Sequence, residues 1–172
     1  MAEEAQPEYR VEPLGDHPRA AFCCGVDALD SYFRLRVTQD VARGTATAFV
    51  LTSESEEVAG FYTLSSLSIP TADLPEKLGK KLPSRNPIGV TFLGRMAVHV
   101  EHKGRGWGEF LLMHALERAL TVSRQVASFA VVVDPKEEAR DFYLKYEFIP
   151  LSQPNRLFLP MKAIEKLFIG SI

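Results

Sequence analysis

The six residues KGRGWG, Lys103–Gly108, place glycine at every second position between an apolar run and a helical pattern. Alternating glycines let successive backbone N–H groups point into one concavity. The loop leads into the N-terminal end of the predicted helix, where the helix dipole favours anions, and Lys103 and Arg105 add positive charge. We therefore expect a phosphate-binding loop, with a tight turn that needs glycine only for its geometry as the alternative. The pattern is neither a Walker loop nor Gly-x-Gly-x-x-Gly.

The sequence around this loop predicts strands and helices in alternation. Gly89–Val98 is a candidate central strand, and Phe110–Ser123 is the clearest helix. One face of that helix carries an apolar stripe made of Leu112, Ala115, Leu116, Ala119 and Leu120. Further on, the sequence predicts a buried strand at 127–133 and a helix at 135–145 with Pro135 at its first position. Two short strands follow, at 147–151 and 156–161.

The first half of the chain predicts a helix followed by a hairpin. The helix runs over Asp27–Arg43, with Asp27 as its N-cap and Gly44 as its stop signal. Thr45–Thr52 and Val58–Ile69 flank an acidic turn and form an antiparallel pair. A short edge strand at 9–12 and a short helix at 75–78 complete the pattern. The order indicates an α/β protein with a mixed α+β sheet rather than a doubly wound one.

Composition fits one globular domain of 172 residues, of which 46% are hydrophobic and 24% charged. The net charge of −2 excludes a global basic field. No run of about 18 apolar residues is present, so no membrane span is expected, and the acidic start does not resemble a signal peptide. The only cysteines, Cys23 and Cys24, are adjacent and predict no disulfide, which fits a reduced cytoplasmic location.

The loop and its flanks resemble the Gcn5-related N-acetyltransferase (GNAT) family, whose signature is Gln/Arg-x-x-Gly-x-Gly/Ala. Leu93–Val98 is similar to the strand that lies beside pantetheine in that family, and Ala139–Phe148 is similar to its segment Ala-x-x-Phe-Tyr-x-x-x-Gly-Phe. Phe22–Asp30 and the following helix resemble the toxin branch of type II toxin–antitoxin modules, which acetylates aminoacyl-tRNA. The resemblance runs from about Val11 to Met161 and implies a single acetyltransferase domain over 1–172, with a mostly antiparallel sheet flanked by helices. The sequence itself predicts a flexible tail at 1–8, and 164–172 are a C-terminal extension outside the resemblance.

The resemblance also implies acetyl-CoA as cofactor and a role for particular residues. The backbone N–H of Val98 would stabilise the oxyanion, and Tyr143 would be the general acid that protonates the leaving thiolate. Without the resemblance, the residue itself favours a core aromatic beside Phe142. The implied cofactor-binding residues are Met96, Ala97, Val98, Lys103, Gly104, Arg105, Gly106, Trp107, Gly108 and Glu109.

Three residues depart from the family pattern. Lys103 replaces the usual Gln or Arg and loses the fork geometry of arginine, and Trp107 is bulky where small aliphatic residues are common. Glu147 replaces the usual glycine before Phe148. If the backbone there needs a positive φ, we expect Glu147 to be strained.

A basic stretch offers a candidate RNA contact, with a solvated lysine-rich loop as the alternative. The residues assigned to it are Lys77, Lys80, Lys81, Arg85 and Arg95. No general base is evident, which favours an α-amine acceptor, because its pKa of about 7.7–8 leaves it partly neutral. The resemblance further implies a ribbon-helix-helix antitoxin and a homodimer. The alternatives are an acetyltransferase for a small-molecule amine, a protein N-terminus or a lysine, and a non-catalytic acyl-CoA-binding module.

The remaining polar and apolar candidates favour structural roles. His17, His99, His102 and His114 lack the spacing of metal ligands, so no metal is assigned. Cys23 and Cys24 are interpreted as small buried hydrophobes. Phe110 and Met113 are assigned to the core rather than to cofactor packing.

Overall fold

The computed structural model describes residues 8–82, 87–153 and 155–169. Over these residues it has a seven-stranded sheet of order β1-β2-β3-β4-β5-β7-β6. The strands are β1 (Arg10–Pro13), β2 (Thr47–Thr52), β3 (Val58–Ile69), β4 (Ile88–Val98), β5 (Ala130–Val133), β6 (Ile149–Pro150) and β7 (Leu157–Pro160). The helices are α1 (Asp27–Leu35), α2 (Val37–Arg43), α3 (Glu76–Gly79), α4 (Trp107–Ser123), α5 (Glu137–Lys145) and α6 (Met161–Ile169).

The sheet is mixed, as the order of elements predicts. β1 pairs with β2 and β2 with β3 in antiparallel fashion, and β7 pairs antiparallel with β5 and with β6. β4 and β5 are parallel, with Thr91 opposite Val131. This confirms the α/β class with a mostly antiparallel sheet and the predicted hairpin. Among the described helices, none is long and apolar enough to cross a bilayer.

The chain divides into two compact units, and the first comprises Met1–Leu64 with Arg95–Ala115. Its core is aromatic: the ring of Phe33 stacks on Phe61 with centroids 4.3 Å apart, and Phe22 meets both rings. Gly60 on β3 permits a close approach of neighbouring chains. A Cβ added there would lie 2.9 Å from the carbonyl oxygen of Ala97 and 2.8 Å from Leu111 Cδ1.

The second unit comprises Ser65–Gly94 with Leu116–Ile172. Its core packs β5 and β7 residues such as Val132 and Phe158 with Ile69, Leu74 and Leu151. All four residues of β5 are buried, as its continuous apolar run predicts.

The predicted helix at 27–43 is two helices. The chain breaks at Arg36, which has φ −123° and ψ −24° and belongs to neither helix. Arg19 Nη1 donates to the carbonyls of Phe33 and Arg34 at 3.0 and 2.9 Å, which gives these carbonyls partners outside the helix. Gly44 ends α2 with φ 73°, as predicted.

Other predicted boundaries also need correction. Val26, not Asp27, is the N-cap of α1, and the carboxylate of Asp30 instead accepts from Cys24 N at 2.7 Å. Pro135 precedes the N-cap Lys136 of α5 and is not its first helical residue. The predicted extension at 164–172 is in part helix α6, whose Ile164 is fully buried, while 170–172 lie outside the described residues. Of the predicted tail at 1–8, residues 1–7 also lie outside them.

Candidate functional site

The glycine loop has the backbone that the alternation of glycine predicts. Gly104 and Gly106 have φ of 81° and 82°, in the left-handed region that favours glycine. Helix α4 begins at Trp107, earlier than predicted, so Gly108 and Glu109 belong to its first turn. The first intrahelical bond runs from Phe110 N to Gly106 O at 3.1 Å. The exposed loop therefore leads directly into the unpaired N–H groups of a 17-residue helix, an arrangement that fits phosphate groups.

Lys103 fastens the loop to another part of the first unit. Its Nζ donates to the carbonyl of Cys24 at 2.6 Å, and Val100 N donates to the carbonyl of Cys23 at 2.8 Å. Gly25, which follows, has φ 91°. The ammonium group has three donors, so two remain for an anion. Lys103 thus holds the loop in place as well as adding positive charge to it.

An aromatic cluster that the sequence did not reveal lies on the loop. The ring of Tyr9 packs on Trp107 with centroids 4.1 Å apart, and its hydroxyl shares a hydrogen bond of 3.0 Å with His102 Nδ1. Arg105 Nη1 donates to the same hydroxyl at 3.5 Å. Phe110 meets Trp107 edge-on and is 43% exposed, so its assignment to the core is wrong. No periodic signal links Tyr9 to a loop so distant in sequence.

The end of β4 carries the predicted oxyanion donor. Ala97 is buried, while Met96 and Val98 are half-buried. His99 N donates to the carbonyl of Ala59 at 2.8 Å, which fixes the chain just after Val98. Gly60 allows this approach, because an added Cβ would lie 3.7 Å from Val98 Cα and closer still to Ala97 O.

Three potential metal ligands gather beside this strand end. Oxygen or nitrogen atoms of Glu57, His99 and Glu101 lie within 4.8 Å of one another. His99 Nδ1 accepts from Glu101 N at 3.1 Å, so the proton of the neutral ring is on Nε2, which lies 3.3 Å from Ala21 O. In this tautomer Nε2 is a donor and not a metal ligand. The cluster is therefore better explained as a structural anchor for the turn.

Tyr143 is held by the end of helix α5. Phe148 N donates to Tyr143 O at 3.3 Å and Glu147 N donates to Leu144 O at 3.0 Å, the two bonds of a Schellman motif. The rings of Phe148 and Tyr143 meet at 5.4 Å, which completes the motif. Glu147 adopts φ 68°, so the strain expected from its departure is present.

Burial raises the pKa of Tyr143 to about 12, above the value of 10.0 of an ordinary phenol. The side chain is 7% exposed, and the described residues offer its hydroxyl no hydrogen-bond partner. The phenol is therefore protonated at neutral pH, which is the state that a general acid requires. Its higher pKa makes complete proton transfer to a thiolate more costly than from an exposed tyrosine.

The basic residues lie in different settings. Lys77, Lys80 and Lys81 are exposed in the second unit, and Lys80 Nζ pairs with Glu76 at 3.0 Å. Arg85 lies outside the described residues. Arg95, in the first unit, places its guanidinium 3.6 Å from the ring centroid of Tyr32. Cys24 is buried and Cys23 half-buried, and both are free thiols.

Comparisons with known proteins agree with this geometry. Residues 44–150 match the family model described as an acetyltransferase (GNAT) domain. A Mycobacterium tuberculosis protein named tRNA-acetylating toxin is 35% identical over 86% of this chain and 88% of its own length.

Two solved structures share the fold over nearly the whole chain. AtaT complexed with acetyl-methionyl-tRNAfMet is 31% identical, with a TM-score of 0.87, and the match covers 94% of this chain and 99% of that one. A mutant AtaT toxin bound to the C-terminus of the antitoxin AtaR and acetyl-CoA is 27% identical, with a TM-score of 0.80 and coverage of 93% and 98%. The family model spans well over half of this chain, and the chain therefore belongs to the GNAT acetyltransferase family.

Proposed function

We propose that this chain transfers an acetyl group from acetyl-CoA to the α-amine of aminoacyl-tRNA and so acts as a translation-blocking toxin. The observation that carries the proposal is the exposed loop of left-handed glycines leading into helix α4. Membership of the acetyltransferase family supports the reaction, and the names of the tRNA-acetylating toxin and of the AtaT complex support the acceptor.

The transfer forms a C–N bond to the acceptor amine and breaks the C–S bond of the thioester. The loop and the first turn of α4 would hold the phosphate groups of acetyl-CoA, through residues Lys103–Glu109. Met96 and Ala97 would line the pantetheine beside β4. The N–H of Val98 would stabilise charge on the carbonyl oxygen, and the Tyr143 hydroxyl would donate its proton to the leaving sulfur. The acceptor nitrogen, which is cationic once the C–N bond has formed, would lose one proton to solvent, and the Tyr143 phenolate would regain one from solvent.

The acceptor is proposed to be an α-amine because no base for a lysine has been identified. An α-amine has a pKa of about 7.7–8, so a useful fraction is neutral near pH 7, whereas a lysine at about 10.4 is almost wholly protonated. An amine that is already neutral needs no general base from the protein before it attacks the thioester.

Contacts to the RNA are assigned to Lys77, Lys80, Lys81, Arg85 and Arg95. An antitoxin is a natural partner, since the AtaT neighbour is bound to one. We extend the proposal to a ribbon-helix-helix antitoxin, a homodimer and a cytoplasmic location, where charged tRNA is found.

The net charge of −2 favours a second candidate, a small-molecule amine or a protein N-terminus or lysine. An acceptor competition separates the two. Labelled acetyl-CoA is offered to the protein with total charged tRNA, deacylated tRNA, amino acids, polyamines and peptides together. Label confined to charged tRNA supports the proposal, and label on a free amine or peptide favours the second candidate. Transfer to any acceptor excludes a non-catalytic acyl-CoA-binding module.

A further inference from the structure

Arg95 and Tyr32 form a stacked pair in the first unit. The guanidinium carbon of Arg95 lies 3.6 Å from the centroid of the Tyr32 ring, in contact with its face. Tyr32 is 2% exposed, whereas Arg95 is exposed. The guanidinium thus lies over a buried ring, while the arginine residue as a whole is exposed to solvent.

The structure holds both members of the pair in place. The Tyr32 hydroxyl donates to Asp40 Oδ2 at 2.9 Å, and the backbone N–H of Arg95 donates to Thr63 Oγ1 at 3.1 Å. Thr63 is itself buried. A long side chain loses rotamer freedom when it is fixed, and contact with a rigid ring reduces the freedom that remains to be lost on binding.

In the part of the chain that the structure describes, no protein group occupies the N–H groups of the Arg95 guanidinium. Within the described residues it forms neither an ion pair nor a side-chain hydrogen bond. Other arginines of the same unit are used by the fold: Arg19 donates to two helix carbonyls, and Arg34 Nε donates to Phe22 O at 2.7 Å. Arg95 therefore offers a flat cationic face and free donors at the surface.

We propose that Arg95, stacked on Tyr32, is the platform on which an unpaired base at the 3′ end of the acceptor RNA stacks. This inference rests on the proposed function and names the part of the substrate that the chain holds. Unpaired RNA bases stack on guanidinium planes, and the free N–H edge can bind an adjoining phosphate. Arg95 precedes Val98 by three residues on the same strand, a rise of roughly 10 Å. That distance is comparable to one nucleotide, so a base on Arg95 would leave the esterified amino acid near the proposed oxyanion donor.

The chemistry of the pair favours a base over an isolated phosphate. A phosphate is attracted by any cation, so replacing arginine with lysine would preserve much of that attraction. A stacked base needs the plane, which lysine lacks. The substitution Arg95→Lys therefore separates stacking from charge.

The test measures binding of two RNA hairpins without acetyl-CoA. Both have the stem of a tRNA acceptor arm, and one ends in an unpaired 3′ strand while the other is blunt. Stacking of one base corresponds to about five-fold or more in affinity. We expect the wild-type protein to prefer the hairpin with the unpaired end by at least that factor. Arg95→Lys should lose the preference, while its affinity for the blunt hairpin falls by much less than its affinity for the hairpin with the unpaired end. Arg43→Lys, an exposed arginine on α2, is the matched control and should keep the preference.

Three outcomes would overturn the proposal: no preference in the wild-type protein, an unchanged preference in Arg95→Lys, or equal weakening of both hairpins by that variant. Because the assay needs no chemistry, it is independent of the proposed reaction. An Arg95-dependent preference without acetyl transfer to charged tRNA would retain the platform and reject the reaction. Acetyl transfer to charged tRNA, together with a hairpin preference that does not depend on Arg95, would retain the reaction and reject the platform.

Discussion

At the scale of single residues, Glu147 and Tyr143 belong to one helix end. Glu147 occupies the left-handed position after helix α5, where a Schellman motif ordinarily has glycine. The same motif ties the carbonyl of Tyr143 to Phe148 N and packs the two rings together. The strained backbone at Glu147 therefore belongs to the same helix-terminating motif as Tyr143, the residue assigned as the general acid.

Replacing Glu147 with glycine should stabilise the protein. A side chain in the left-handed region destabilises the folded state by about 1–2 kcal/mol, and glycine removes this strain. Glycine also gives the unfolded chain more conformational freedom, which offsets about 0.5–1 kcal/mol of the gain. We expect Glu147→Gly to raise the free energy of unfolding by about 0.5–1 kcal/mol in urea denaturation. Glu147→Ala is the control, since it removes the charge but keeps the Cβ. Equal stabilisation by both would show that charge, not backbone strain, is responsible.

The raised pKa of Tyr143 predicts a specific dependence of stability on pH. Its folded pKa of about 12 exceeds the unfolded value of about 10, so the folded state favours the protonated phenol. This contribution is complete below pH 10 and is lost as the pH rises from about 10 to about 12, by up to about 3 kcal/mol. The unfolding free energy of wild type should therefore fall relative to that of Tyr143→Phe as the pH rises through this window. A difference that is constant up to pH 12 would mean an ordinary phenol pKa.

At the scale of elements, the glycine loop joins a strand that ends at Val98 to helix α4. Its left-handed residues were predictable, because alternating glycines before a helical pattern have few other uses. The contacts that attach the loop to the rest of the first unit were not predictable from the sequence. Lys103 bonding to Cys24 O and Tyr9 packing on Trp107 join residues that are distant in sequence, and no local pattern records such contacts.

The backbone of the loop can be tested with two glycines of similar conformation. Gly106 and Gly44 have φ of 82° and 73°, and an added Cβ at either would meet nothing within 4 Å. Alanine at either position should cost about 1 kcal/mol of stability through strain. Only Gly106→Ala should also weaken acetyl-CoA binding, by about ten-fold or more in calorimetric titration. Alanine disfavours the positive φ at this position, so the loop N–H groups would no longer point towards the phosphate groups of the cofactor. Equal affinity in the two variants would remove the loop from the cofactor site.

The sequence predicted elements better than their ends. The long apolar runs of β3, β4 and the stripe on α4 stand where they were expected, since burial on a sheet or helix face imposes a period on the sequence. The break at Arg36 was not predictable, because it depends on Arg19 reaching the carbonyls of α1 from outside the helix. Helix α6 was missed because the family resemblance ended before it.

At the scale of the whole molecule, the chain passes three times between its two units. The crossings fall after Leu64, Gly94 and Ala115, inside strand β3, strand β4 and helix α4 respectively. We propose that the units form one domain, since an element cannot lose half its hydrogen bonds without weakening the rest.

Local charge, rather than net charge, is expected to govern RNA affinity. Lys77 and Lys81 are exposed, whereas Lys80 is paired with Glu76. Each lysine that neutralises a phosphate contributes about 0.9 to the slope of log affinity against log salt. Lys77→Gln with Lys81→Gln should therefore lower that slope by about one to two for charged tRNA. The control is Lys162→Gln with Lys166→Gln on α6, and an equal change in both pairs would assign the effect to overall charge.

Acetyl transfer to aminoacyl-tRNA with Tyr143 as the general acid is tested most directly by one labelling assay. Wild-type protein and Tyr143→Phe are each incubated with labelled acetyl-CoA and total charged tRNA, the amino acids are released by mild base, and acetyl-CoA binding is measured separately. We expect label on the released amino acids with wild type, almost none with Tyr143→Phe, and acetyl-CoA bound by both proteins. Label absent from the amino acids with wild type, or undiminished in Tyr143→Phe, would contradict it.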